Sequence, residues 1–314
     1  MKRAALTTCA ALAACNSFYD PCFSPASVVS DLRILAVRAD PPEVLYDPVT
    51  FVAPPVSLRA LVVYPGGPSE QQVHLRACVP HPEGPCPPDQ PWEVTADGSS
   101  DMQLQVLPEK IRAALQADPL AGYGGVRVQV EVLVERGNVS VTASKLLLFS
   151  PALPGVVPNH SFSLTGFALS GSGGDRVVAD EGFIELPVSE TVWLRPLLSP
   201  GAQETYQVTD LAGRTVQLTE RISYSFFTMP HAQYGPLGRP VAGSDVADEP
   251  APGDPVPERG LVTLTALAAA SSRLWLVARD GRGGEAWASL AVQMPDRRNC
   301  SFDFRCPLLD FGCL

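Results

Sequence analysis

Runs of alternating apolar and polar residues recur along this chain, and prolines and glycines end them. The cleanest run is Val126-Arg127-Val128-Gln129-Val130-Glu131-Val132-Leu133-Val134. A period of two places its valines on one face of a β-strand and predicts Arg127, Gln129 and Glu131 on the solvent face. The β-branched content and the period both exclude a helix. Glu135-Arg136-Gly137-Asn138 supplies a turn, and 139–149 returns as the second strand of a hairpin. Upstream, 32–39, 56–64 and 73–78 read as strands, the first with only loose alternation. Downstream, 161–169, 182–187, 191–197, 204–209, 220–227, 261–267, 274–279 and 286–292 read likewise. Asp280-Gly281-Arg282-Gly283-Gly284 is a turn between the last two, so a second closing hairpin repeats the first. One helix is predicted from Pro108 to Asp118. Proline suits its first turn, Glu109 meets the N-terminal dipole, and Ile111 and Leu115 share a face.

Short strands at regular spacing predict an all-β chain of two tandem β-sandwiches with one short helix. Three prolines in Ser150–Pro158 mark a semi-rigid linker. The expected organisation is a signal peptide at 1–14, a tether at 15–30, sandwiches at 31–150 and 160–295 joined by 151–159, and a cysteine-rich tail at 296–314. Composition agrees. Proline accounts for 32 of 314 residues, about twice its usual share of ~5%, which excludes a long-helix bundle because each interior proline costs a helix ~3 kcal/mol. Lys2, Lys110 and Lys145 are the only lysines, and the formal charge is −10. That sign argues against nucleic acid or anionic lipid as an electrostatic partner.

The N-terminus changes the picture. Met1-Lys2-Arg3 is basic, and Ala4–Ala14 is a run of apolar and small residues, too short to span a bilayer but long enough for a secretory core. It ends in Leu12-Ala13-Ala14-Cys15. This resembles the lipobox of bacterial lipoprotein precursors, which implies cleavage before Cys15 and acylation of its thiol. Loss of Lys2 and Arg3 would take the charge from −10 to −12. The resemblance implies an envelope location with the acyl chains in the lipid. Asn16 after the cysteine leans towards the outer membrane.

Export makes disulfides the default for the six cysteines that remain: Cys22, Cys78, Cys86, Cys300, Cys306 and Cys313. Cys78 and Cys86 are paired by proximity, and one tail cysteine is a candidate partner for Cys22. Six cysteines allow 15 pairings, and spacing does not choose among them. A sharper alternative takes His74, Cys78, His81 and Cys86 as a zinc or copper set, although the spacing fits no finger pattern. The acids Asp245, Asp248, Glu249, Asp254 and Glu258 form a calcium candidate that neighbouring prolines hold apart. No zincin motif, nucleophile elbow or P-loop occurs. The chain is therefore expected to be no enzyme and to need no cofactor, with an unrecognised hydrolase kept as the third alternative.

Tyr224-Ser225-Phe226-Phe227 followed by Leu274–Gly284 resembles immunoglobulin-like and PKD-like envelope domains, in which an aromatic strand packs the core and a glycine-rich turn joins the last two strands. With the lipobox, the chain resembles bacterial lipoproteins that carry such domains. The Cys…Trp…Cys pattern of antibody domains is absent, so Trp193 and Trp275 are the expected core tryptophans. The function this implies is a non-catalytic, lipid-anchored scaffold. It would bind an envelope protein or a glycan through loops 79–101 and 230–259. Trp92, Tyr123, His231 and Tyr234 are the candidate contact residues. A ligand- or metal-binding lipoprotein that uses 74–86 is the alternative.

Overall fold

The computed structural model describes residues 27–65, 71–80, 84–97, 101–153, 157–171, 173–210, 212–229, 232–235, 260–268 and 270–295. They form two β-sandwiches in sequence.

The first sandwich contains β1 (Arg33–Asp40), β2 (Glu43–Tyr46), β3 (Val56–Val63), β4 (Gln72–Cys78), β5 (Glu93–Asp97), β6 (Asp101–Leu104), α1 (Pro108–Ala117), β7 (Val126–Arg136) and β8 (Val139–Pro151). One sheet runs β1-β3-β6 and the other β2-β8-β7-β4-β5. The first strand is split: β1 pairs antiparallel with β3, then the chain crosses sheets and β2 pairs parallel with β8. The alternating valines of β7 (Val126, Val128, Val130, Val132, Val134) fill the core with Leu58, Leu75, Leu147 and Phe149. Between β6 and β7, α1 packs Ile111 and, partly buried, Leu115 on that core as its spacing predicts, and Ala114 joins them.

The second sandwich contains β9 (Leu164–Gly171), β10 (Arg176–Ala179), β11 (Gly182–Glu185), β12 (Thr191–Leu198), β13 (Thr205–Thr209), β14 (Thr215–Thr219), β15 (Ser223–Thr228), β16 (Ala232–Gly235), β17 (Val262–Ala266), β18 (Ala270–Arg279) and β19 (Glu285–Met294). Its sheets run β10-β9-β12-β17-β16 and β11-β19-β18-β15, with β13 and β14 as a separate hairpin. The split first strand recurs, since β11 pairs parallel with β19. In both units the first, second and fifth principal strands make one sheet. The third, sixth and seventh make the other. That is the immunoglobulin-like arrangement, so the chain is a tandem of two immunoglobulin-like sandwiches. The two differ at one edge. In the first, β5 extends the β8-β7-β4 sheet; in the second, β16 joins the opposite sheet beside β17.

At the corresponding edge of the second sandwich, beside β15, the N-terminal lead takes the position that β5 holds in the first. Val28 bridges Thr228 in parallel, Val29 N–H donates to the Thr228 carbonyl (2.8 Å), and Thr228 N–H donates to that of Ser27 (2.9 Å). The chain thus touches its second sandwich before it builds its first. A register shift between Ile34 and Ala36 explains the loose alternation of β1. It turns Leu35 and Ala36 towards the second sandwich while Val37 and Ala39 stay in the first core.

Two sequence expectations are corrected. Trp193 is not a core residue: it is 44% exposed, on the outer face of β12 between Ser170 and Thr263. Gln129 and Glu131 alternate with the core valines as expected, but they are buried, because the segment around Gly84 and Cys86 lies over that face of β7.

Candidate functional site

Among the described residues, the buried ionisable groups Glu43, Lys145, Glu220 and Asp280 gather where the two sandwiches meet. The β18–β19 turn is shaped by Asp280, whose carboxylate accepts the N–H groups of Arg282 (2.6 Å) and Gly284 (2.9 Å). A Cβ on Gly284 would stand 2.1 Å from that carboxylate, so this position takes only glycine without rearrangement. The turn projects Arg282 into a ring of acids: Glu43 of β2 at 3.2 Å, Glu220 at 3.1 Å and Glu204 at 3.5 Å. Its guanidinium also lies 4.0 Å from the centre of the Tyr206 ring. Glu43 belongs to the first sandwich and also accepts the Ser150 hydroxyl and the Asn159 backbone N–H (2.8 Å). Asn159 then donates its side-chain amide to Asp280 (2.8 Å), which closes the circuit through the linker.

A second cluster lies along β1. This is an edge strand, with N–H and C=O groups facing outwards, and the second sandwich covers them. Val37 N–H donates to Glu285 (3.1 Å), and Arg279 donates to the Leu35 carbonyl (3.3 Å). Glu285 pairs with Arg279 (3.3 Å) and with Lys145 of β8 (3.5 Å), and Lys145 donates to the Gly283 carbonyl (3.0 Å). Apolar side chains fill the space beside these pairs: Val29, Leu35, Ala36 and Val63 against Trp275 and Val277. Trp275 is therefore buried, as the sequence suggests, but between the sandwiches. Burial pushes the Lys145 ammonium below its usual pKa despite Glu285, and it pushes the Glu220 carboxyl up. Glu43, Lys145, Arg279, Arg282 and Glu285 each hold a backbone group or an opposite charge across the seam, while Glu220 holds Arg282 from within the second sandwich. The arrangement does mechanical work, since it fixes one sandwich against the other.

The predicted site residues are scattered. Cys78 and Cys86 form a disulfide. That bond removes both thiolates from the alternative His/Cys metal set; His81 lies outside the described residues. His74, on β4, faces Glu135 at 3.3 Å. The segment after the disulfide is pinned by Glu131, which has no solvent exposure and accepts the Cys86 N–H (2.5 Å) and the Arg76 guanidinium (2.6 Å). Trp92 lies over Arg76, 4.1 Å from guanidinium to ring centre, so it closes this loop. Tyr123 is exposed on the turn before β7. Tyr234 lies in β16 in register with Leu264. Cys15, Cys22, His231, the acids of 245–258, Cys300, Cys306 and Cys313 all lie outside the described residues.

One hollow of about 510 Å³ opens on the outer face of the β1-β3-β6 sheet, next to the seam. Its lining includes Arg38, Asp40, Ser57, Arg59, Asp101 and Gln103, with Leu58 and Met102 between them. Arg59 and Asp101 form a side-on pair, with Nη2 at 2.9 Å, that holds Asp101 below the usual carboxylate range. Gln103 donates to the Ser57 hydroxyl (2.6 Å), and Asp40 accepts the Ser161 hydroxyl (2.8 Å).

Pattern reading alone missed Glu43, Lys145, Asn159 and Arg282. Two signals were present: a rare lysine inside an apolar return strand, and an arginine between the glycines of a tight turn.

No protein-family model matches the chain, and no curated protein matches it. Three of the solved structures similar to it follow. A chimeric titin Z1Z2-Z1Z2 tandem functionalised with a fibronectin GRGDS peptide is 13% identical, covers 84% of this chain and 98% of its own, and has a TM-score of 0.21. Extracellular domains 3–5 of Drosophila OTK are 9% identical, with 87% and 100% covered and a TM-score of 0.20. Rst D1-D2 is 13% identical, with 84% and 100% covered and a TM-score of 0.15. The fold assignment rests on strand order and register within this chain rather than on these similarities.

Proposed function

We propose that this chain is an acyl-anchored envelope lipoprotein whose two immunoglobulin-like sandwiches serve as a non-catalytic scaffold for a protein or glycan partner. The observation that carries the scaffold reading is the seam. Glu43 with Arg282, and Lys145 with Glu285, are largely buried ion pairs that join the sandwiches. Such a junction gives a stiff support that presents its outer sheet faces and loops at a set angle. The lipobox ending at Cys15 supports the anchor. The eleven residues between Cys15 and Ser27 reach at most ~40 Å, so the second sandwich, against which Ser27–Val29 packs, would sit within that distance of the lipid surface. Two or three acyl chains at one cysteine would hold the protein stably, with the outer membrane as the expected location.

Metabolic labelling with a fatty-acid analogue tests the anchor. Wild type is expected to take the label and Cys15→Ala to lose it. Absence of label on wild type, or label persisting in Cys15→Ala, would overturn it. Cross-linking in intact cells is expected to give discrete adducts with envelope components.

A further inference from the structure

We propose that the hollow on the outer face of β1-β3-β6 binds an acidic sugar, with Arg38 taking its carboxylate. Strand register places Arg38 directly opposite Arg59, and Arg59 opposite Asp101. Like charges directly across a ladder destabilise it unless something compensates. Asp101 compensates one of them, because it engages Arg59 side-on through two hydrogen bonds. Arg38 has no ion pair or hydrogen bond among the described residues, although it is partly buried in the wall of the hollow. Asp40 is next on the same face of β1, yet it bonds to Ser161 across the seam and not to Arg38. The hollow therefore keeps an open guanidinium fork, the geometry that receives a carboxylate bidentately.

The surrounding groups narrow the ligand. Asp40 accepts hydrogen bonds. Ser57 and Gln103 offer a hydroxyl and an amide, paired with each other. Leu58 and Met102 also line the hollow, but both side chains are packed into the first core, so the groups that stand free in it are polar or charged. A carboxylate beside several hydroxyls is the chemistry of a uronic acid, and about 510 Å³ is of the right size for one or two sugar rings. In a chain of net charge −10, Arg38 and Arg59 balance Asp40 and Asp101 here, so the hollow lacks the net negative charge that would repel such an anion. The inference rests on the scaffold reading for its class of partner, but its failure would leave acyl labelling at Cys15 unaffected.

Calorimetric titration of the full chain in detergent with glucuronate tests it, with glucose and N-acetylalanine as comparisons. Glucuronate is expected to bind saturably, about tenfold or more tighter than either comparison, and to raise the melting temperature of wild type. Arg38→Ala is expected to lose at least tenfold in glucuronate affinity, while its ligand-free melting temperature stays level or rises as repulsion with Arg59 is relieved. Arg38→Lys should also weaken binding, because an ammonium lacks the fork. Absence of saturable binding to wild type, or unchanged affinity in Arg38→Ala, would overturn the proposal. Tighter binding of N-acetylalanine than of glucuronate would overturn the sugar assignment.

Discussion

Arg282 shows how much one side chain in a turn can hold together. It meets acids from the first sandwich and from two segments of the second, and its backbone is fixed by Asp280. Nearby, Glu220 gives the junction a pH dependence. Its side chain is 1% exposed, and burial raises its pKa above the ordinary 4.5 even with Arg282 beside it. The folded chain thus binds that proton more tightly than the unfolded chain. Glu220 favours folding fully below the ordinary carboxylate range, and this contribution is lost as the pH rises through the raised folded-state value. Glu220→Gln keeps the shape and removes the titration. Denaturant melts between roughly pH 4 and pH 7 should show a shallower loss of stability in that variant than in wild type; identical slopes would remove Glu220 as the cause.

Edge strands are the elements whose fate decides this architecture. An open edge invites pairing with other chains, and here β1 is closed by side chains of β18 and β19 rather than by another strand. Glu285→Ala removes the acceptor of the Val37 N–H and the counter-charge of Lys145. Hydrogen exchange at Val37 should quicken at least tenfold in that variant, while amides inside β7 keep their protection. Equal protection at Val37 would show that its bond to Glu285 does not hold the edge. The long central strands were legible in the sequence because apolar alternation is strong where one face meets a core, as in β7 and β8. Of the short ones, β11 and β13 were also read, but β2, β5, β6, β10, β14 and β16 were not, because four or five residues carry too little pattern. Trp193 and Glu131 were misread for one reason. Alternation says which residues share a face, but it does not say what covers the other face. At Glu131 the disulfide loop does, whereas Trp193 stays exposed.

At the scale of the whole molecule, tandem domains commonly move against each other unless their interface is large or well bonded. Here the interface combines an apolar cluster around Trp275 with two ionic circuits, and both the N-terminal lead and the linker run through it. None of this was legible in the sequence. The linker prolines announced a boundary, but contacts between residues about 240 positions apart, such as Arg282 with Glu43, leave no local pattern. The candidate contact residues followed the same limit. Trp92 read as a loop aromatic free to bind, and its Arg76 partner is visible only once β4 and the loop are placed together. The central claim is that the seam makes the two sandwiches one cooperative unit. Differential scanning calorimetry tests it most directly. Wild type is expected to unfold in a single transition. Arg282→Ala, by leaving Glu43 and Glu220 without their cation, should cost about 3–5 kcal/mol and split that transition into two. Two separate transitions in wild type, or an unchanged single one in Arg282→Ala, would contradict the account.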